Sequence, residues 1–251
     1  MTHLRTSINC RCLIYPFLPA LLFPGQSIIP ALNNSKARIS NKIIFIKPAE
    51  LIYEKGKNKH LRDRFFPIGW SPDGKFAYAT EPADIACGCY FLNVYVQDMV
   101  TDKISWKWQS TDYDKKMNLE KVWQLNNILF TDSLLKFNIR PQQIQSLKIL
   151  PIRINNTIFE FSLINDIYSL PDITGPLIKK TAIFLKRNGV IKKKVFTAEY
   201  PGIVLSNAIK GYIKSPFEDR IALFYMKENL GHEGGPNILR FNLIGLKLAY
   251  Q

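Results

Sequence analysis

The chain has 251 residues, 47% of them hydrophobic, with 34 basic against 20 acidic side chains and a net charge of +14. That length and apolar content can bury a full core, as one large β domain or two small ones. Four cysteines exclude a disulfide-stapled scaffold, and the charge comes without a basic amphipathic helix or an RNA-binding signature, which argues against a nucleic-acid binder.

At the amino terminus Arg5 and Arg11 precede an apolar run from Cys12 to Phe23, and no acidic residue occurs before Glu50. A basic segment followed by an apolar stretch of this length reads as a secretory signal peptide, residues 1–31, with cleavage after Ala31. The run is too short to span a bilayer as a helix. Export would make the mature chain periplasmic or secreted and leave it Cys87 and Cys89 as its cysteines. Residues 32–41 are polar. From 42 to 251 a single mainly β domain is expected, with a first strand at Ile43–Ile46 and a lysine-rich connector reaching Arg64.

Gly69 to Ser110 is the densest β signal. Pro72-Asp73-Gly74 predicts a hairpin turn of the two-residue type I′ kind, because Asp and Gly tolerate positive φ. Phe76 and Tyr78 then alternate with Ala77 and Ala79. Leu92, Val94 and Val96 share a face opposite Asn93, Tyr95 and Gln97, and Ile104, Trp106 and Trp108 alternate with Ser105, Lys107 and Gln109. Period-two patterning between turn residues predicts half-buried antiparallel strands. Residues 118–138 change period: Leu119, Val122, Trp123, Ile128 and Leu129 predict an inserted amphipathic helix capped by Asn118. Strands resume after Leu147, with Phe159, Phe161 and Leu163 on one face. Leu170–Pro176 reads as a turn-rich connector, and Asn188-Gly189 joins Thr181–Arg187 to Val190–Thr197 in a hairpin. Lys192 and Lys194 should share one strand face and Lys193 the other, guarding an edge strand. The final unit, from Tyr212, is strand, loop and strand, with Leu239, Phe241 and Leu243 inward.

The segment WSPDGKFAYA, followed by LNVYVQDMVTDKISW, resembles one repeat of the TolB-type β-propellers, with Asp102 where that repeat has glycine. Lys214–Leu248 is a weaker echo that keeps Ser215-Pro216. In overall layout, residues 65–247 resemble an uncharacterised family of predicted secreted bacterial proteins, on Ser71-Pro72-Asp73-Gly74, the Val94–Asp98 strand and Gly231-His232-Glu233-Gly234. These resemblances imply propeller-blade-like antiparallel units and an envelope location; they imply no activity.

Chemistry-bearing residues are few. Cys87-Gly88-Cys89 places two thiols on one side of an extended chain. They could hold a soft metal ion, form a bent disulfide across Gly88, or lie in a loop without further role. His232 and Glu233, at the matching place in the second unit, would complete a ligand set if the two units packed side by side. Glu81, Asp84, Asp98 and Asp102 lie near loop ends, where oxygen ligands could meet calcium. No Gly-x-Ser-x-Gly, phosphate-binding loop or dinucleotide fingerprint is present. The expectation is a non-enzymatic envelope protein without a cofactor, presenting a β surface that includes Tyr78, Tyr95, Trp106 and Trp108 to another envelope protein or a cell-wall component. Peripheral contact with an anionic membrane is compatible with the charge. The alternative is a thiol-redox or metal-handling protein centred on Cys87 and Cys89.

Overall fold

Antiparallel strands dominate the computed structural model, which describes residues 45–54, 60–84, 89–112, 117–231 and 234–248. All of these fall within one compact unit, Lys42–Gln251. In chain order the elements are β1 (Leu61–Arg62), β2 (Arg64–Trp70), β3 (Lys75–Glu81), β4 (Tyr90–Asp98), β5 (Ile104–Asp112), α1 (Leu119–Lys136), β6 (Arg140–Pro141), β7 (Ile152–Ile154), β8 (Thr157–Leu170), β9 (Ile173–Arg187), β10 (Val190–Lys214), β11 (Arg220–Asn229) and β12 (Ile238–Lys247). They make a five-stranded sheet ordered β5-β4-β3-β2-β6 and a seven-stranded sheet ordered β1-β12-β11-β10-β9-β8-β7. One of the sheets curls into a half-barrel. The mainly β, antiparallel fold with one helical segment is the one its patterning predicts.

Alternation along β3 and β4 is as read, but both faces are covered. Ala77, Ala79, Leu92, Val94 and Val96 pack against Leu119, Val122, Trp123, Phe130 and Leu134 of α1. Phe76 and Tyr78 turn to the other side and meet Phe224, Met226, Leu239 and Leu243 of the larger sheet. A third cluster, with Phe159, Ile183, Leu185, Leu223, Tyr225 and Ile244, lies on the opposite face of the larger sheet. The central strands are therefore fully buried, so that β11 reads as a continuous apolar run from Ile221 to Met226. Of the four aromatics expected to offer contact area, Tyr78 is core, and Tyr95, Trp106 and Trp108 are half-buried against it.

Several local readings need correction. The turn after Trp70 is a four-residue loop, with Gly74 N–H bonded to the Ser71 carbonyl. Only Gly74 takes positive φ, +87°, so this is a type I turn closed by a left-handed glycine, rather than type I′. Ser71 Oγ accepts from Lys75 N at 2.8 Å and donates to Asp73 at 2.5 Å, which holds the bend. Asn188 and Gly189, at φ +50° and +78°, do form the two-residue turn expected of them. Phe45 and Ile46 are not in a strand, and the rest of that expected strand lies outside the described residues. The connector at Leu170 shrinks to the turn Pro171-Asp172, with β9 continuing through Gly175 and Pro176 as an irregular strand whose register to β8 shifts there.

The helix starts where its cap predicts: Asn118 Oδ1 accepts the Lys121 N–H at 3.0 Å. Its buried face continues from Trp123 to Phe130 and Leu134, while Ile128 is 77% exposed. At 3.6 residues per turn, Ile128 sits about 140° around the helix from Trp123 and so falls off the buried stripe.

Asp102 has φ +59°, a left-handed conformation that aspartate tolerates better than most residues other than glycine.

Candidate functional site

Of the residues singled out for chemistry, only some fall among the described residues. Cys89 is disulfide-bonded and lies just before β4; Cys87, His232 and Glu233 lie outside the described residues. What is described of the second loop is tight. A Cβ on Gly231 would sit 2.8 Å from the Gly235 carbonyl carbon, and Gly231 N–H reaches Asn237 Oδ1 at 3.3 Å. Among the described residues no group of three or more His, Cys, Asp or Glu could hold a metal ion.

Glu81, Asp98 and Asp102 are each held in structural bonds. Glu81 is 7% exposed, paired with Arg64, and accepts from Tyr90 Oη at 2.6 Å. Burial and that bond to Glu81 raise the Tyr90 pKa. Arg64 also grips Glu50 at 2.8 Å. Burial opposes the Arg64 charge, but Glu50 and Glu81 outweigh it and its pKa rises. Asp98 Oδ1 accepts Val100 N–H at 2.7 Å and closes its own turn. Asp102 Oδ1 accepts Gly245 N–H at 2.6 Å, and Gln97 Nε2 donates to the Leu243 carbonyl at 3.1 Å. The smaller sheet thus caps backbone groups along the edge of β12, a form of edge protection that no spacing in the chain announces.

Although the residue is exposed as a whole, partial desolvation of its carboxyl, and then Asp98, raise the Asp102 pKa despite the Gly245 bond. The folded chain then holds this proton more tightly than the unfolded one, so stability falls as pH climbs from the ordinary aspartate value near 3.8 through the folded value. Asn keeps the acceptor and tolerates positive φ. Asp102→Asn is expected to melt higher than the parent at pH 7 and to lose that advantage below pH ~3, where both aspartate states are protonated. Thermal melts across the range check the sign; an Asn variant that melts lower at pH 7 overturns it.

The feature best suited to a ligand was not read from the sequence. A groove of about 570 Å³ opens beside β2, lined by Phe45–Ala49, Pro67, Ile68 and Pro141–Gln145. Its origin is local. Leu51 N–H bonds to the Phe65 carbonyl at 2.8 Å, and Gln142 N–H to the Ile68 carbonyl at 2.9 Å. Between these two anchors Pro67 has no N–H to offer, so neither flanking segment continues along β2 as a strand. Both walls are fixed in place. Trp123 Nε1 donates to the Phe45 carbonyl at 3.1 Å, and Lys47 pairs with Glu120 at 2.6 Å, tying the first wall to α1. On the second wall Pro141 and Arg140 pair with Gly69 and Trp70. A Cβ on Gly69 would lie 2.9 Å from the Arg140 carbonyl carbon, so only glycine permits that approach. The lining is mostly apolar, with Gln142, Gln143 and Gln145 contributing amides. A proline inside an apolar strand was the one available signal.

No family model, curated protein or solved structure matches this chain.

Proposed function

We propose that this is an exported, non-enzymatic β domain of the cell envelope that binds an extended apolar peptide segment of another envelope protein in the groove beside Pro67. The observation that carries the reading is the groove itself: its walls are fixed before any ligand arrives, which lowers the ordering cost of binding. Its volume lies in the range of ligand pockets, about 300–1,000 Å³. An apolar lining suits peptide side chains better than the sugars of a cell-wall component, and glutamine amides can both donate to and accept from a peptide backbone. Export is supported by the basic, then apolar, amino-terminal pattern and by the disulfide at Cys89, since such bonds persist in oxidising compartments. The carboxylates near the loops are occupied in structural bonds, which favours binding over catalysis.

The chain should be expressed through a bacterial export route and weighed intact, unreduced, with free thiols alkylated. A product beginning near Leu32 with unmodified cysteines is expected; an uncleaved chain overturns export. That product is then panned against a displayed library of random 12-residue peptides. Apolar sequences should be enriched and should bind Ala49→Trp, which fills the groove from an exposed position, at least about tenfold more weakly. Enriched peptides that bind the tryptophan variant equally well, or no enrichment, defeat the groove reading.

A further inference from the structure

We propose that the β9–β10 hairpin tip is a docking element for anionic lipid bilayers, separate from the groove and independent of what the groove binds. The tip joins two kinds of exposed side chain. Val190 and Ile191, directly after the Asn188-Gly189 turn, are 57% and 54% exposed. Around them stand Lys186, Arg187, Lys192, Lys193 and Lys194, and no carboxylate occurs from Thr181 to Ala198. Glu160 faces Lys186 across the β8 pairing, and Glu199 pairs with Lys180 at 2.8 Å, so both neighbouring acids lie against cations other than the triplet. None of Lys192, Lys193 and Lys194 pairs with a carboxylate among the described residues.

Alternation would put Lys193 on the face opposite Lys192 and Lys194, and so divide the charge. In the structure Lys193 lies opposite Leu185 and Lys194 opposite Phe184, so these two take alternate faces. Register shifts fall between Ile191 and Lys193 and again between Lys194 and Phe196, and all three lysines are exposed. The pairing of β10 explains the exposure. Its first half, Val190–Glu199, bonds to β9 alone, because β11 begins to pair only at Val204. That length of β10 is therefore a free edge of the sheet, with cations along it and two aliphatic side chains beside the turn, while β8 continues along β9 as far as Arg187.

Charge complementarity selects the occupant. Clustered lysines are drawn to an anionic headgroup layer, and apex aliphatic groups can enter the acyl boundary behind it. Nucleic acid would match the charge but not the apex, where stacking aromatic side chains would be expected instead of Val and Ile.

The test is co-sedimentation of the full chain with vesicles of phosphatidylglycerol and phosphatidylcholine, and with phosphatidylcholine alone, at 0.15 M salt. Each lysine near an anionic surface contributes about fivefold in partitioning, so the triple variant Lys192→Gln/Lys193→Gln/Lys194→Gln should bind anionic vesicles about a hundredfold more weakly. Val190→Ser/Ile191→Ser should lose about tenfold, with the salt dependence retained. The control Lys103→Gln/Lys136→Gln/Lys247→Gln removes equal charge and should keep most of the binding. Equal losses in the control, or wild-type partitioning in both hairpin variants, overturn the proposal. So does lysine-dependent, salt-sensitive binding to a DNA duplex without vesicle binding, which would assign the tip to nucleic acid.

Discussion

Gly245→Ala is expected to cost about 3 kcal/mol or more of stability, among the largest effects of any one-methyl change in this chain. Gly245 lies where β12 passes under the turn that follows β4. A Cβ there would be 2.5 Å from both Cα and the carbonyl carbon of Met99 and closer still to its carbonyl oxygen. These are backbone atoms, and Met99 is fully buried. Met99 is also held on the other side, its N–H bonded to the Gly74 carbonyl at 3.0 Å. Relief would require the two sheets to separate, breaking the Asp102 bond to Gly245 N–H. Gly202→Ala is the matched control, because nothing lies within 4 Å of where its new methyl group would sit and its φ is not positive. It should be neutral, or stabilising by about 0.4–1 kcal/mol through the unfolded chain. Urea midpoints of the two variants decide the matter; similar losses in both would show that the close approach is not what constrains Gly245.

Arg220→Met should be comparably severe, at about 3–5 kcal/mol. Arg220 is 7% exposed, donates through Nη1 to the Met99 carbonyl at 2.9 Å, and pairs through Nε with Glu218 at 2.6 Å. Methionine retains the length of the stem but leaves a buried carbonyl and a carboxylate without their donor, and that desolvation is the main cost. Arg220→Lys should recover only part, since one ammonium lacks the forked geometry that reaches both acceptors. Pairing Arg220→Met with Glu218→Gln in a double-mutant cycle separates the two contacts. A loss below about 1 kcal/mol for Arg220→Met would mean that the guanidinium is not a principal link between the sheets.

Both predictions fall on one joint, formed by Gly74, Met99, Asp102, Arg220 and Gly245. Its members were partly visible from the chain alone. Gly74 stood out as a turn glycine, and Asp102 as an aspartate in a glycine's place. That they meet Arg220 and Gly245 was not visible, because those partners lie more than a hundred residues away and their approach depends on how the two sheets stack.

Local rules carried the strands, the helix cap and the Asn188-Gly189 turn, because each depends on residues within a few positions of one another. Period-two alternation identified β3, β4 and β5 directly, and Asn118 marked the first turn of α1. The same rules failed where a second layer intervened. Ile128 and Leu129 read as core because they are apolar, yet the sheet under α1 contacts only the stripe through Trp123 and Phe130. The lysine triplet reads as divided between faces, and the β9 register does place Lys193 and Lys194 on alternate faces; that all three reach solvent follows from β11 pairing with β10 only from Val204 onward. The groove depends on two anchors to β2, from Leu51 and Gln142, that flank a single proline. By itself, then, the sequence determined the class of fold, its turns and its caps, since these follow from short-range backbone preferences and side-chain periodicity. Only the tertiary structure decided which faces are buried, which edge is free and where a cavity opens, because those depend on which distant strands share a sheet and where their pairing stops.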